Sequence, residues 1–268
     1  MRRGLLSALA GAALIVTAAA AHAQMETPEA PHQSWSFAGV FGTFNRAALQ
    51  RGFQVYSQVC SNCHSMNLLH YRDLGPAGPG GGIGFSAAEV KAIAAEKQVK
   101  AGPNSKGKMF LRPGKASDPF VAPFPNPEAA KAVYGAAPPD LSDIVKARGR
   151  GLEYLWGEGG PDYVYAILNG FTKAPKGFRL PPGKYYNTYF PGHAISMPPP
   201  LTNGTVTYQD GTKATLHQEA HDVVTFLTWA AEPYMEERKR TGAKVIIFLL
   251  AMTGVLYGAK RRVWKNAH

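Results

Sequence analysis

The sequence predicts a mostly α fold with long loops and a small β-hairpin, tethered by one C-terminal transmembrane helix. Three observations predict it. Apolar residues recur at helical spacing in several segments, and those segments are separated by stretches rich in the chain's 29 Gly and 21 Pro. Hydrophobic residues make up 45% of 268 and charged residues 18%, enough for one buried core and too apolar for a disordered chain. Val245 to Ala259 runs without a charge and is bracketed by basic clusters. One loop-rich domain is expected rather than two.

The formal charge of +11 would suit a nucleic-acid binder, but its distribution argues otherwise. Arg2 and Arg3 stand at one end. From Arg238 onward there are only basic charges: Lys239, Arg240, Lys244, Lys260, Arg261, Arg262 and Lys265. The stretch between holds all 18 acidic residues and is close to neutral. No nucleic acid is expected as a partner; both basic flanks read as membrane-topology signals.

In chain order, residues 1–23 read as a cleaved export signal. An Arg pair precedes an apolar run that ends in Ala21-His22-Ala23. Arg46 to Val59 carries Ala47, Ala48, Phe53, Val55, Tyr56 and Val59 near helical spacing. The Gly-rich run 75–84 is a flexible surface loop, because it misses the G-x-G-x-x-G register and follows no strand. Ser86-Ala-Ala-Glu89 is a capping box opening a helix to about Val99. Pro161 suits the first turn of another helix, with Gly170 past its end. Asp210-Gly211 between Thr205–Gln209 and Thr212–Leu216 signals the hairpin. His217–Glu232 is amphipathic and stops at Pro233. The main domain then covers 24–232, the anchor 233–262 and a cytoplasmic tail 263–268. Gly242 to Ala259 rises about 27 Å as a helix, near the ~30 Å of hydrocarbon to be crossed.

The chain's two cysteines fall in Cys60-Ser-Asn-Cys63-His64. C-x-x-C-H is the attachment signature of haem c. Two thiols on one helical turn can add to the two vinyl groups of a porphyrin, and the adjacent imidazole then meets the iron from the same side. A zinc site would need a second Cys/His pair, which the spacing does not provide. One covalent haem c is expected, with both thiols consumed.

A haem of the electron-transfer kind takes a sixth ligand. Met66 is too near His64 to reach the opposite face; Met25, Met235 and Met252 lie near termini or in the anchor. Met197, Met109, His70, His193, His217 and His221 remain. Met197 is the strongest of these. It stands in Ile195-Ser-Met-Pro-Pro-Pro-Leu201, where three prolines stiffen the backbone enough to hold a weak thioether bond.

Taken together, several motifs resemble the cytochrome c1 family. They are Cys60–His64 followed by Ser65-Met-Asn and Tyr71-Arg-Asp-Leu74; Ala137-Pro-Pro-Asp-Leu-Ser142 with Val145-Lys-Ala-Arg148; Tyr185-Tyr-Asn-Thr-Tyr-Phe-Pro-Gly192 running into Met197; and Phe226-Leu-Thr-Trp-Ala-Ala-Glu-Pro233. The signal is similar to that of α-proteobacterial members. The resemblance implies a cytochrome c-like haem domain in the periplasm and an anchor in the inner membrane. It implies thioethers on Cys60 and Cys63, axial bonds from His64 and Met197, a propionate contact from Arg148, and a pocket lined by Pro139 and Tyr163. The segment 149–160 departs from the family's spacing, so no contacts are carried over there.

The implied function is relay of one electron from a Rieske iron–sulfur protein to a soluble or anchored c-type cytochrome. The setting is a dimeric, membrane-embedded complex with cytochrome b, the ubiquinol–cytochrome c reductase. Glu153, Glu158 and Asp162 are candidate acids for docking a basic acceptor. The rival is a haem enzyme or gas sensor with an open distal site.

Overall fold

The computed structural model describes residues 28–78, 81–149 and 159–265. The expected export signal, Glu153, Glu158 and the last tail residues lie outside the described residues. The described helices are α1 Arg46–Gln58, α2 Ala87–Ala95, α3 Pro127–Tyr134, α4 Ile144–Arg148, α5 Gly160–Asn169, α6 Leu216–Ala231 and α7 Met235–Trp264. Two small antiparallel sheets accompany them: β1 Gln98–Ala101 with β2 Phe110–Pro113, and β3 Tyr185–Tyr186 with β4 Ala194–Ile195.

α1 begins at Asn45, whose side chain accepts from the Ala48 N–H at 3.2 Å. Its buried face is Ala48, Leu49, Gly52, Phe53, Val55 and Tyr56. That face lies on α6, which starts where the Thr215 hydroxyl accepts the Gln218 N–H. The two helices meet at backbone distance: a Cβ on Gly52 would lie 2.0 Å from the Asp222 carbonyl oxygen, so only glycine fits.

α6 is buried nearly all round rather than amphipathic. α1 covers one side, and α4 and α5 cover another. Its acids are therefore internal. Asp222 is fully buried and takes the Arg51 guanidinium at 2.8 and 3.1 Å, while Glu219 accepts the Val206 N–H at 2.9 Å. Removal of a ring such as Phe226, at 0% exposure, would cost about 3–5 kcal/mol.

Several expectations are corrected. The Ser86 capping box is formed, with Glu89 returning to the Ser86 N–H at 2.7 Å. The helix stops at Ala95, however, and Val99 pairs with Arg112 in the first sheet. The Asp210-Gly211 turn exists, with Gly211 at φ +76°, but no ladder flanks it. Its polar groups are taken from elsewhere: Arg51 binds Asp210 at 2.8 Å, and Glu219 binds Val206. The small hairpins form at 98–113 and 185–195 instead.

The 75–84 run is a surface loop only in part: Pro76, Ala77 and Gly78 are exposed, but Gly81, Gly82 and Ile83 are buried. Ile83 is fully buried, and Trp229 donates its indole N–H to the Gly81 carbonyl. Gly170 is not left-handed, at φ −87°. It is glycine because a Cβ would lie 2.8 Å from Asn187 Oδ1.

α7 is one 30-residue helix, about 45 Å long. Among the described residues it is the one helix long and apolar enough to cross a membrane. It begins before the apolar run, at Met235, which is buried against the domain.

Candidate functional site

α1 delivers the motif. Its last turn passes into a 3₁₀ turn at Cys60–Asn62, and the Cys60 carbonyl accepts the N–H groups of both Cys63 (3.1 Å) and His64 (2.9 Å). One backbone oxygen thus gathers the two thiols and the imidazole onto a single turn. Both cysteines are half-buried, and no disulfide joins them. Burial pushes the Cys60 thiol up to about 12. The Tyr134 hydroxyl, at the end of α3, lies 3.3 Å from Cys63 Sγ.

His64 Nδ1 lies 2.8 Å from the Pro139 carbonyl oxygen. A carbonyl only accepts, so Nδ1 carries the proton and Nε2 presents its lone pair. Burial lowers the His64 pKa, against smaller opposing effects of the Pro139 carbonyl and Asp140. A neutral imidazole with Nε2 free and Nδ1 tied down is the state an iron ligand requires.

The Pro139 carbonyl is itself held. Asp140 Oδ2 accepts the Ser65 hydroxyl at 2.7 Å and the Asn67 N–H at 2.9 Å, and Oδ1 accepts the Ser142 N–H at 2.8 Å. The Leu141 N–H reaches the Ser65 carbonyl at 2.9 Å, and the Ser142 hydroxyl accepts the Leu68 N–H at 3.1 Å. Four of these hydrogen bonds lash residues 65–68 to 140–142, on either side of the His64–Pro139 bond, and the Ser142 N–H braces Asp140 from within its own segment. Burial pushes the Asp140 carboxyl up, but its three donors outweigh that and hold it below the usual carboxylate range.

Sequence reading missed Asp140, Ser65, Asn67 and Ser142. The available signal was Asp140-Leu-Ser142, an acid able to take the N–H two residues on; its long-range donors leave no sequence trace.

Pro139 and Arg148 line one shallow cavity of about 460 Å³ with Asn67, Leu68, Ile144 and Ala147. Arg148 is the exposed last residue of α4. Tyr163 is half-buried on α5, and Met197 follows β4, also half-buried and beside exposed Pro198 and Pro199.

Met197's hairpin is pinned by Asn187, which is fully buried. Asn187 Nδ2 donates to the Ile167 carbonyl of α5 at 2.7 Å, Oδ1 accepts the Tyr189 N–H at 3.0 Å, and its N–H reaches the His193 carbonyl at 3.0 Å. His193 adopts φ +56° and stacks on Tyr186 at 5.4 Å.

Other ligand candidates are placed elsewhere. Met109 is 61% exposed at the edge of β2. His221 stacks on Trp35 at 4.6 Å, and His217 lies 3.0 Å from the Tyr165 hydroxyl. His70 caps the short turn at Tyr71–Leu74.

Asp162 is not a docking acid. It is 2% exposed and accepts the Trp35 indole N–H at 2.7 Å and the Gln33 N–H at 3.0 Å, with His32 Nδ1 at 2.9 Å. It ties the N-terminal segment to α5. Among the described residues no group of three or more His, Cys, Asp or Glu side chains is placed to hold a bare metal ion. The Cys60–His64 turn, with its fixed imidazole tautomer and paired thiols, fits an iron brought by a covalent porphyrin.

Comparison with known proteins agrees. The family model described as the Cytochrome C1 family matches residues 35–267. A cytochrome b/c1 from Bradyrhizobium diazoefficiens is 48% identical over 97% of this chain, and the chain spans 39% of that longer protein. A cytochrome c1 from Rhodospirillum rubrum is 44% identical over 87% of both chains. A mitochondrial cytochrome c1-2, heme protein, from Solanum tuberosum is 46% identical over 96% of this chain and 93% of the relative. A turn that carries two thiols and a fixed imidazole, an anchor helix at the far end, and relatives alike over nearly their whole length place the chain in the cytochrome c1 family.

Proposed function

We propose that this chain is the membrane-anchored, haem-carrying electron-transfer subunit of a ubiquinol–cytochrome c reductase, relaying one electron from a Rieske iron–sulfur protein to a c-type cytochrome. It is not an enzyme on its own. The observation that carries the reading is the His64–Pro139 bond beside the paired thiols of Cys60 and Cys63.

Cys60 and Cys63 would hold one haem c through thioethers. When bound, that group supplies a one-electron iron couple, and histidine with methionine sets it at a raised potential. His64 offers Nε2 from a fixed tautomer. Met197 offers a thioether from a backbone stiffened by Pro198, Pro199 and Pro200. Arg148 supplies a cation for a propionate, and Pro139 and Tyr163 line the site.

The haem domain, 24–232, stands in the periplasm; residues 233–262 anchor it in the inner membrane, and 263–268 face the cytoplasm. The export-type N-terminus supports that orientation. Cytochrome b and the Rieske protein are the proposed neighbours, in a dimeric complex.

The test is purification of the chain from membranes followed by a redox difference spectrum. A b-type cytochrome and a Rieske protein should copurify, and the c-type haem should be low-spin and resist carbon monoxide. A chain isolated without them, with a high-spin ferrous haem that binds carbon monoxide, would favour the gas-sensor or enzyme reading.

A further inference from the structure

The loop 36–43 is short and tightly closed, yet its tip is apolar. The Thr43 N–H reaches the Ser36 carbonyl at 3.0 Å across the neck, and the Gly42 N–H reaches the Gly39 carbonyl at 3.4 Å across the tip. Gly39 is left-handed at φ +72°, and a Cβ on Gly42 would lie 2.0 Å from the Ala38 carbonyl oxygen. The two glycines permit the turn. Between them stand Val40, 44% exposed, and Phe41, 87% exposed. Turn tips facing water usually carry polar residues; this one presents a bare ring.

The loop is fastened to the first turns of the anchor helix. Glu236 accepts the Phe44 N–H at 2.7 Å and pairs with the Arg46 guanidinium at 2.5 Å. One turn nearer the apolar run, Lys239 donates to the Phe37 carbonyl. Phe37 and Phe44 are buried, with ring centroids 5.3 Å apart, so the base of the loop is rigid.

These contacts step along α7 toward its apolar run: Arg46 and Phe44 meet Glu236, and Phe37 meets Lys239. The chain descends toward the bilayer as it is followed back from α1 to the loop. Lys239 lies six residues before Val245, about 9 Å along the helix. The headgroup layer on each side is about 5–8 Å deep.

We propose that Val40 and Phe41 insert into the lipid headgroup layer beside α7, giving the haem domain a second foothold on the membrane. A single helix fixes height but leaves the domain free to swing. A rigid loop planted next to it fixes the tilt, and with it the distance from the haem turn to membrane-embedded neighbours. The inference rests on α7 spanning the bilayer.

The test uses the haem-loaded full chain in phospholipid nanodiscs, with Phe41→Cys as the free thiol carrying a nitroxide. Leu250→Cys serves as a span reference and Asp143→Cys as an aqueous reference. Collision with dissolved oxygen and with a water-soluble nickel chelate is measured at each position. The proposal expects position 41 to shift from the aqueous reference toward oxygen, to a value between the two references. A value at 41 equal to that at 143, with 250 in hydrocarbon, overturns the foothold and leaves the anchor standing. Position 250 in water would overturn both. Shielding of 41 from both reagents, seen only when cytochrome b is present, would overturn lipid in favour of a protein contact.

Discussion

The two sides of the proposed haem site are built differently. On the His64 side, four hydrogen bonds between residues 65–68 and 140–142 surround a fifth, from His64 Nδ1 to the Pro139 carbonyl. On the Met197 side, the proposed ligand follows a two-residue strand. What restrains it is three successive prolines, a left-handed His193 and the buried side-chain amide of Asn187. A nitrogen ligand needs its tautomer set, which takes a hydrogen-bond partner. A thioether has no proton to place and needs only a stiff support. Damage to the polar web should therefore tune the iron, whereas damage to the stiff loop should free it.

The largest expected effect is from Met197→Leu. The ferric spectrum should turn high-spin, and the midpoint potential should fall by hundreds of millivolts, inside the ~0.8 V range that axial ligation controls. Visible absorption and a redox titration read both. An unchanged spectrum would put the sixth ligand elsewhere and erase the contrast between the two sides.

Asn187→Ala comes next. It strips two side-chain hydrogen bonds from a fully buried site, at a cost of about 2–3 kcal/mol. In a thermal scan the methionine–iron charge-transfer band should vanish before the far-ultraviolet helix signal falls. Coincident loss would mean that the hairpin is no more local than the rest of the domain.

Asp140→Asn should cost about 2 kcal/mol and move the potential while the spectrum stays low-spin. That outcome sharpens the contrast. Loss of the low-spin form would break it.

The smallest effect is a control away from both sides. Arg112 and the Lys115 N–H hold the Asp118 carboxyl down at about 2. With a depressed folded value, the stabilisation is present above about pH 4 and is lost as pH falls toward 2. Asp118→Asn should lower the melting temperature slightly at pH 7, and the gap should close near pH 2. The iron spectrum at pH 7 should not change.

How much of this was legible depends on how local the cause is. The helix leading into Cys60, the Ser86 capping box and the apolar run in α7 rest on neighbours a few residues apart, and each is found as expected. The end of α2 was missed because Val99 answers to Arg112, in a different segment. The 75–84 run reads as a flexible surface loop because glycine pattern alone does not reveal that Trp229 closes over Gly81. Asp162 looked like surface charge until Trp35, 127 positions away, was seen to donate to it. The motif residues of the site stood out as a sequence string. Asp140 and its donors, which hold Pro139 against His64, join positions more than seventy apart.

The central claim is a porphyrin bonded covalently through Cys60 and Cys63, and acid–organic extraction of the purified chain tests it most directly. The account predicts that the colour stays with the precipitated polypeptide and that its mass exceeds the apo-chain by one haem. Colour that passes wholly into the solvent, leaving a chain of unmodified mass, would contradict it.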